Sequence, residues 1–157
     1  MNKDKEFMDK AISVAKEGIK AGQTPFGSVI VKDNKVVVSS HNSVWADTDI
    51  TAHAEITAIR ECCKVLETID LSDCEIYTTC EPCPMCFSAI HWGRFKRVIY
   101  GASIGDAKDV GFNELDICNS DMKKLGDSKV EITPDILKDQ CKELFTLWKT
   151  TNKSTAY

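Results

Sequence analysis

Residues 4–21 carry Phe7, Met8, Ala11, Ile12, Ala15 and Ile19 at helical spacing, and Gly22 is a natural stop. Phe26 to Lys32 reads as a strand, Asp33-Asn34 as its turn, and Lys35 to Ser40 as the returning hairpin partner. Residues 41–51 are polar and read as a loop. A helix is predicted over about 52–66, with Thr51 as its cap and Ile56, Ile59, Cys63 and Leu66 as its apolar stripe. Residues 74–79 read as a strand. Pro84 suits the first turn of a helix over about 84–92, where its missing N–H is not needed. Phe95 to Tyr100 has the Val-Ile-Tyr content of a buried strand. Residues 101–128 give no clear period, and Lys129 to Ile132 fits a short edge strand. Thr133 and Pro134 are expected to open a last helix with Ile136, Leu137, Cys141, Leu144, Phe145 and Trp148 on one face. Strands alternating with helices imply an α/β sandwich, a mixed sheet covered on both faces.

Composition narrows the class. A chain of 157 residues is expected to form one domain, and it buries enough surface for a core without disulfides. The charged N-terminus has no apolar run behind it, so no signal peptide is expected, and no stretch approaches the ~20 apolar residues of a membrane span. Eight cysteines without an export signal point to a reducing, cytoplasmic setting, where cysteine clusters more often bind metal or do chemistry. Cys62, Cys63, Cys74, Cys118 and Cys141 read as packing. The net charge of −4 disfavours a polynucleotide partner and favours a small neutral substrate, although Arg94, Lys96 and Arg97 form a local basic patch.

The chemistry concentrates in His53-Ala54-Glu55 and Pro82-Cys83-Pro84-Met85-Cys86. Both segments fall at expected helix starts, where the dipole favours the thiolate form of cysteine. The C-x-x-C spacing lets Cys83 and Cys86 reach one ion, and His53 adds a nitrogen from another helix. A catalytic zinc site uses three protein ligands and keeps one place open, whereas a structural site closes with four. Glu55, two residues from His53, is placed to move protons. Two other readings remain open here: Cys80 as a fourth ligand of an inert structural zinc module, and a redox dithiol at the C-x-x-C.

H-x-E followed by P-C-x-x-C is the signature of zinc-dependent base and nucleoside deaminases. On these motifs the chain resembles the cytidine/deoxycytidylate deaminase superfamily. Within it, the chain is similar to the bacterial guanine deaminases through Phe26, Cys80, Trp92, Gly111-Phe112 and the C-terminal tyrosine. The resemblance implies a three-layer α/β/α sandwich with a five-stranded mixed sheet. It also implies one zinc per subunit on His53, Cys83 and Cys86, with Glu55 shuttling protons. Asn42 would bond the purine, and Glu114 would contact the substrate's amino edge. Phe26, Ala54, Trp92 and Tyr157 would complete the substrate site. It implies a homodimer in which a segment from about 134 to 157 is exchanged, so that Tyr157 closes the partner's pocket. The activity implied is hydrolysis of guanine to xanthine and ammonia. The alternatives are a tRNA adenosine deaminase, which shares the Glu-Pro-Cys-Pro-Met-Cys core, and a cytosine or nucleoside deaminase.

Overall fold

A computed structural model of the chain describes residues 3–151 and 154–157. Asn152 and Lys153, within the expected exchanged segment, lie outside the described residues.

The first helix, α1 (Lys3–Lys20), buries all six residues of the expected stripe. Gly22 follows with φ of 84°, a left-handed conformation that glycine adopts without a Cβ clash. Strands β1 (Gly27–Lys32) and β2 (Lys35–His41) form the hairpin. Asp33 and Asn34 both take positive φ, 50° and 58°, and this turn type matches the twist of paired strands. After a short helix, α2 (Val44–Asp47), come α3 (Ala54–Leu66), β3 (Cys74–Cys80), α4 (Pro84–Trp92) and β4 (Arg97–Ala102). Two short helices, α5 (Ile104–Asp109) and α6 (Asn119–Gly126), precede β5 (Glu131–Thr133) and α7 (Lys138–Thr151).

The five strands form one mixed sheet in the order β2-β1-β3-β4-β5. β1 runs antiparallel to β2 and β3, while β3, β4 and β5 are parallel. Side chains alternate across the sheet, as the two-residue period of a strand requires. Val29, Val31, Tyr77 and Ile99 point into one core with α1 and α7, where Leu144 and Trp148 meet them. Ile30, Ile76 and Val98 point into the other, against Ala58, Phe87 and Ile90 of α3 and α4. The result is the expected three-layer sandwich. No described helix is long and apolar enough to cross a membrane.

Three expectations shift at their edges. Thr51 does not cap α3: its hydroxyl donates to Asp49 Oδ1 at 2.7 Å, and His53 occupies the N-cap position. On α3 the fully buried residues are Ala54, Glu55, Ala58 and Cys62. Ile59, Cys63 and Leu66 pack half-buried beside them, so the stripe is rotated about one residue from the expected one. The last helix starts at Lys138 instead of Thr133, because Asp135 and Leu137 are left-handed at φ 63° and 50°. Ile136 N–H is spent on Tyr100 O at 3.0 Å.

Candidate active site

The site lies beyond the carboxyl ends of the parallel strands β3 and β4, a recurring place for ligands in open α/β sheets. The antiparallel β1 brings Phe26 to the same end. There Gly27 lets the strand lie against α1, since a Cβ on it would stand 2.3 Å from Ala11 O.

Two helix starts face each other across this end. His53 is the N-cap of α3 and Cys83 the N-cap of α4, both with extended backbone, and Pro84 follows Cys83 at the first helical position. An N-cap side chain and the third residue of its helix lie next to each other, the geometry of a capping box. In α4 those two positions are Cys83 and Cys86, which is why the C-x-x-C sulfurs converge. His53 Nδ1 is 3.6 Å from each sulfur. The three ligand atoms all lie within 4.8 Å of one another. A tetrahedral zinc with ordinary Zn–S and Zn–N bonds separates S from N by about 3.6 Å. Both S–N separations therefore match those around a tetrahedral zinc.

Cys80 does not join the trio. It is buried, and its thiol is turned to donate to Ser103 O at 3.4 Å. The fourth-ligand reading fails on that geometry, because the described metal-binding group consists of His53, Cys83 and Cys86. Burial also pushes the Cys80 thiol well above its ordinary pKa.

Charge in the site is shared over a few atoms. The hydrogen bond from Cys86, aided by His53, brings Cys83 down to about 4 despite its burial. Cys86 is correspondingly raised by that same bond and by burial. Burial lowers the His53 pKa, but the bond to Cys83 and the charge of Glu55 outweigh it and leave it raised. A dication held by these ligands would favour the thiolate form of both sulfurs.

Glu55 lies in the first turn of α3 and is only 6% exposed. Its Oε1 accepts from Thr78 Oγ1 at 2.9 Å, and its Oε2 lies 3.6 Å from Cys86 Sγ. Burial raises its pKa and favours a form that can hold and release a proton.

Above the trio opens a cavity of about 290 Å³. Its walls include Phe26, Phe112, Pro84 and Leu115, with Asn42, Glu55, Glu81 and Glu114 as polar groups, and no Lys or Arg lines it among the described residues. Asn42 is 1% exposed. Its Oδ1 accepts from Val44 N–H at 3.1 Å, so its NH₂ faces the cavity. Glu114 is raised to about 7 by burial and then by the negative charge on Cys83.

Tyr157 enters the cavity of its own chain. Its hydroxyl accepts from Asn42 Nδ2 at 2.6 Å, and its ring stacks edge-on to Phe112 at 5.5 Å. The tail behind it is held by Trp45 Nε1–H to Thr155 O at 3.0 Å and Asn113 N–H to Tyr157 O at 2.9 Å.

Two residues expected at the substrate are placed elsewhere. Trp92 ends α4 at 82% exposure and lines no part of the cavity. The buried face of α4 is Cys86, Phe87 and Ile90, and a residue two past Ile90 falls on the opposite side. Ala54 is fully buried under the helix start and does not line the wall. Sequence reasoning missed Thr78, whose hydroxyl orients Glu55, and Glu81, whose buried carboxylate accepts two backbone N–H groups. Neither carries a periodic signal.

The family model described as the cytidine and deoxycytidylate deaminase zinc-binding region matches residues 1–102. Guanine deaminase from Bacillus subtilis (strain 168) is 50% identical over 109 residues, covering 69% of this chain and 70% of that enzyme. A tRNA-specific adenosine deaminase from Aquifex aeolicus is 42% identical over 114 residues, covering 70% of this chain and 74% of its own. A crystal structure of a mutant protein in complex with 8-azaguanine superposes with a TM-score of 0.87 at 25% identity, covering 94% of this chain and 84% of that one.

Proposed function

Because this chain belongs to the cytidine and deoxycytidylate deaminase family, we propose that it is a zinc-dependent hydrolytic deaminase that converts guanine and water to xanthine and ammonia. The observation that carries the substrate choice is the cavity. It is small, apolar on its broad faces, polar at Asn42 and Glu114, without a lining Lys or Arg among the described residues, and entered by Tyr157. A flat neutral base fits such walls. A nucleic acid, by contrast, gains most of its affinity from cations at its phosphates.

His53, Cys83 and Cys86 would hold the metal, which when bound supplies Lewis acidity that makes a water acidic near neutral pH. Glu55 takes a proton from the attacking water and delivers protons to the ring nitrogen and the departing amine. The Thr78 hydroxyl fixes the carboxylate in one rotamer for this work. Asn42 offers N–H groups to acceptors on the purine, and Glu114 meets the amino edge. Groups so placed reject analogues that would leave them unpaired. Phe26 and Phe112, edge-on at 4.9 Å, form an apolar wall that excludes water.

The enzyme is further proposed to act as a homodimer with exchanged tails. An exchanged tail makes in the partner's cavity the contacts that Tyr157 makes here. The solvent-facing Trp92 is the kind of large aromatic that an interface covers.

The test is ammonia release from purified protein given guanine, cytosine, cytidine, or a tRNA anticodon stem-loop carrying adenosine. Release from guanine with matching xanthine supports the reading. Release from the stem-loop alone overturns it in favour of the tRNA deaminase alternative.

A further inference from the structure

Glu81 is 6% exposed, and its carboxylate accepts two backbone donors, Ile104 N–H at 3.1 Å on one oxygen and Asn119 N–H at 2.8 Å on the other, with the Tyr100 hydroxyl also bonded to it. Ile104 and Asn119 are the first residues of α5 and α6. One side chain thus holds two helix starts at once. Capping need explains only half of this. α5 already has a complete capping box from Ser103 and Asp106, whereas Cys118, before α6, makes no side-chain cap bond.

The chain between those two helices, residues 110–118, supplies Phe112, Asn113, Glu114 and Leu115 to the cavity wall. Glu81 itself lies two residues before Cys83, the N-cap of α4. Its own N–H donates to Ala102 O at 2.7 Å, and the Asn119 side chain donates to Pro82 O at 2.6 Å. The strand end leading to the metal ligands and the segment bearing Glu114 are therefore joined at both ends through residues 81 and 82.

We propose that Glu81 is a positioning residue that sets Glu114 at its working distance from the His53–Cys83–Cys86 group. It does so by clamping the starts of α5 and α6 to the β3–α4 junction. This rests on the deaminase reading above. A buried carboxylate with two amide donors is held rigidly, because neutral replacements cannot accept from both. In Glu81→Gln one oxygen still accepts, but the NH₂ faces the second N–H donor and one helix start is released. A displacement on the order of 1 Å in a substrate-orienting group costs about 100-fold in rate.

The experiment is a double-mutant cycle of Glu81→Gln with Glu114→Gln, read by kcat and KM on the base that the wild type turns over. It is accompanied by zinc content and by hydrogen exchange at the Ile104 and Asn119 amides. The expected result for Glu81→Gln is unchanged zinc, faster exchange at one or both amides, and kcat/KM lower by roughly 10- to 100-fold. In the Glu114→Gln background the same change should cost less than about threefold, because the group it positions is already gone. An equal fold-loss in both backgrounds would overturn the proposal in favour of a purely structural role, and so would unchanged exchange at both amides. Glu81→Asp keeps the charge but is one methylene too short for both donors. If Glu81→Gln does not fold, Glu81→Asp enters the same cycle with the same two outcomes. The exchange readout is independent of which base is deaminated, so a wrong substrate and a wrong role for Glu81 give different results.

Discussion

Glu55→Gln isolates the proton-moving role. The substitution is isosteric, and the structure indicates what survives it. The amide oxygen can still accept from Thr78 Oγ1, now at 2.9 Å from the carboxylate, and the NH₂ would face Cys86 Sγ, now 3.6 Å away. The metal group of His53, Cys83 and Cys86 does not include this side chain, so metal content should equal that of wild type. Stability should hold or rise slightly, because burial disfavours the charged form of Glu55 and the amide carries no charge. What is lost is general acid–base catalysis, typically about 10²- to 10⁴-fold, or about 2.7–5.5 kcal/mol of barrier. The assay is steady-state ammonia release from guanine, with metal analysis and thermal unfolding on the same preparation. Wild-type turnover in a folded, metal-replete Glu55→Gln protein would refute the role. A loss of metal in step with activity would show that Glu55 acts through the site's assembly instead.

Three further outcomes follow from other parts of the molecule. Asn42→Ala removes the donor aimed into the cavity and should cost about 1–3 kcal/mol of transition-state binding, roughly 5- to 150-fold in kcat/KM; an unchanged value would remove Asn42 from the substrate site. If tails are exchanged, mixing Glu55→Gln protein with protein lacking residues 154–157 and allowing subunits to re-pair should restore about a quarter of wild-type activity, since half the dimers gain one intact site; activity no greater than the sum of the parts would place each tail in its own chain. Asp4 is held below the usual carboxylate range by its hydrogen bonds with Arg97 at 2.8 and 3.1 Å. A depressed carboxylate contributes stability above its unfolded pKa of about 3.9 and loses it as pH falls through its folded pKa. Asp4→Asn should therefore cost about 1.5–3 kcal/mol near neutrality, a few degrees of Tm, and the deficit should shrink below about pH 4; an equal deficit at pH 7 and pH 3 would contradict the pairing.

Much of the sandwich was legible because its cores repeat. The α1 stripe is periodic over several turns, β1, β3 and β4 are short strands buried on both faces, and those elements lie within two residues of the expected bounds. The metal group was legible for a different reason: two helix starts and a C-x-x-C impose local geometry that spacing alone conveys. Residues 101–128 were not legible. α5 is six residues long and α6 eight, and both are held from outside by Glu81, so no internal period announces them. The Ser103–Asp106 spacing was the one local sign of a helix start there. Pro134 looked like an opening residue for α7, but two left-handed residues follow before the helix begins. Trp92 was assigned by resemblance, and the helix phase that turns it outward could have been read from Cys86, Phe87 and Ile90.

The central claim is an open metal site with three protein ligands, and X-ray absorption at the zinc edge of the purified, active protein tests it directly. The account predicts two sulfurs at about 2.3 Å and two nitrogen or oxygen neighbours at about 2.0–2.1 Å, one of them exchangeable with solvent. Three sulfurs around the ion would bring Cys80 into the shell and close the site. Full activity in protein stripped of metal would contradict the account altogether.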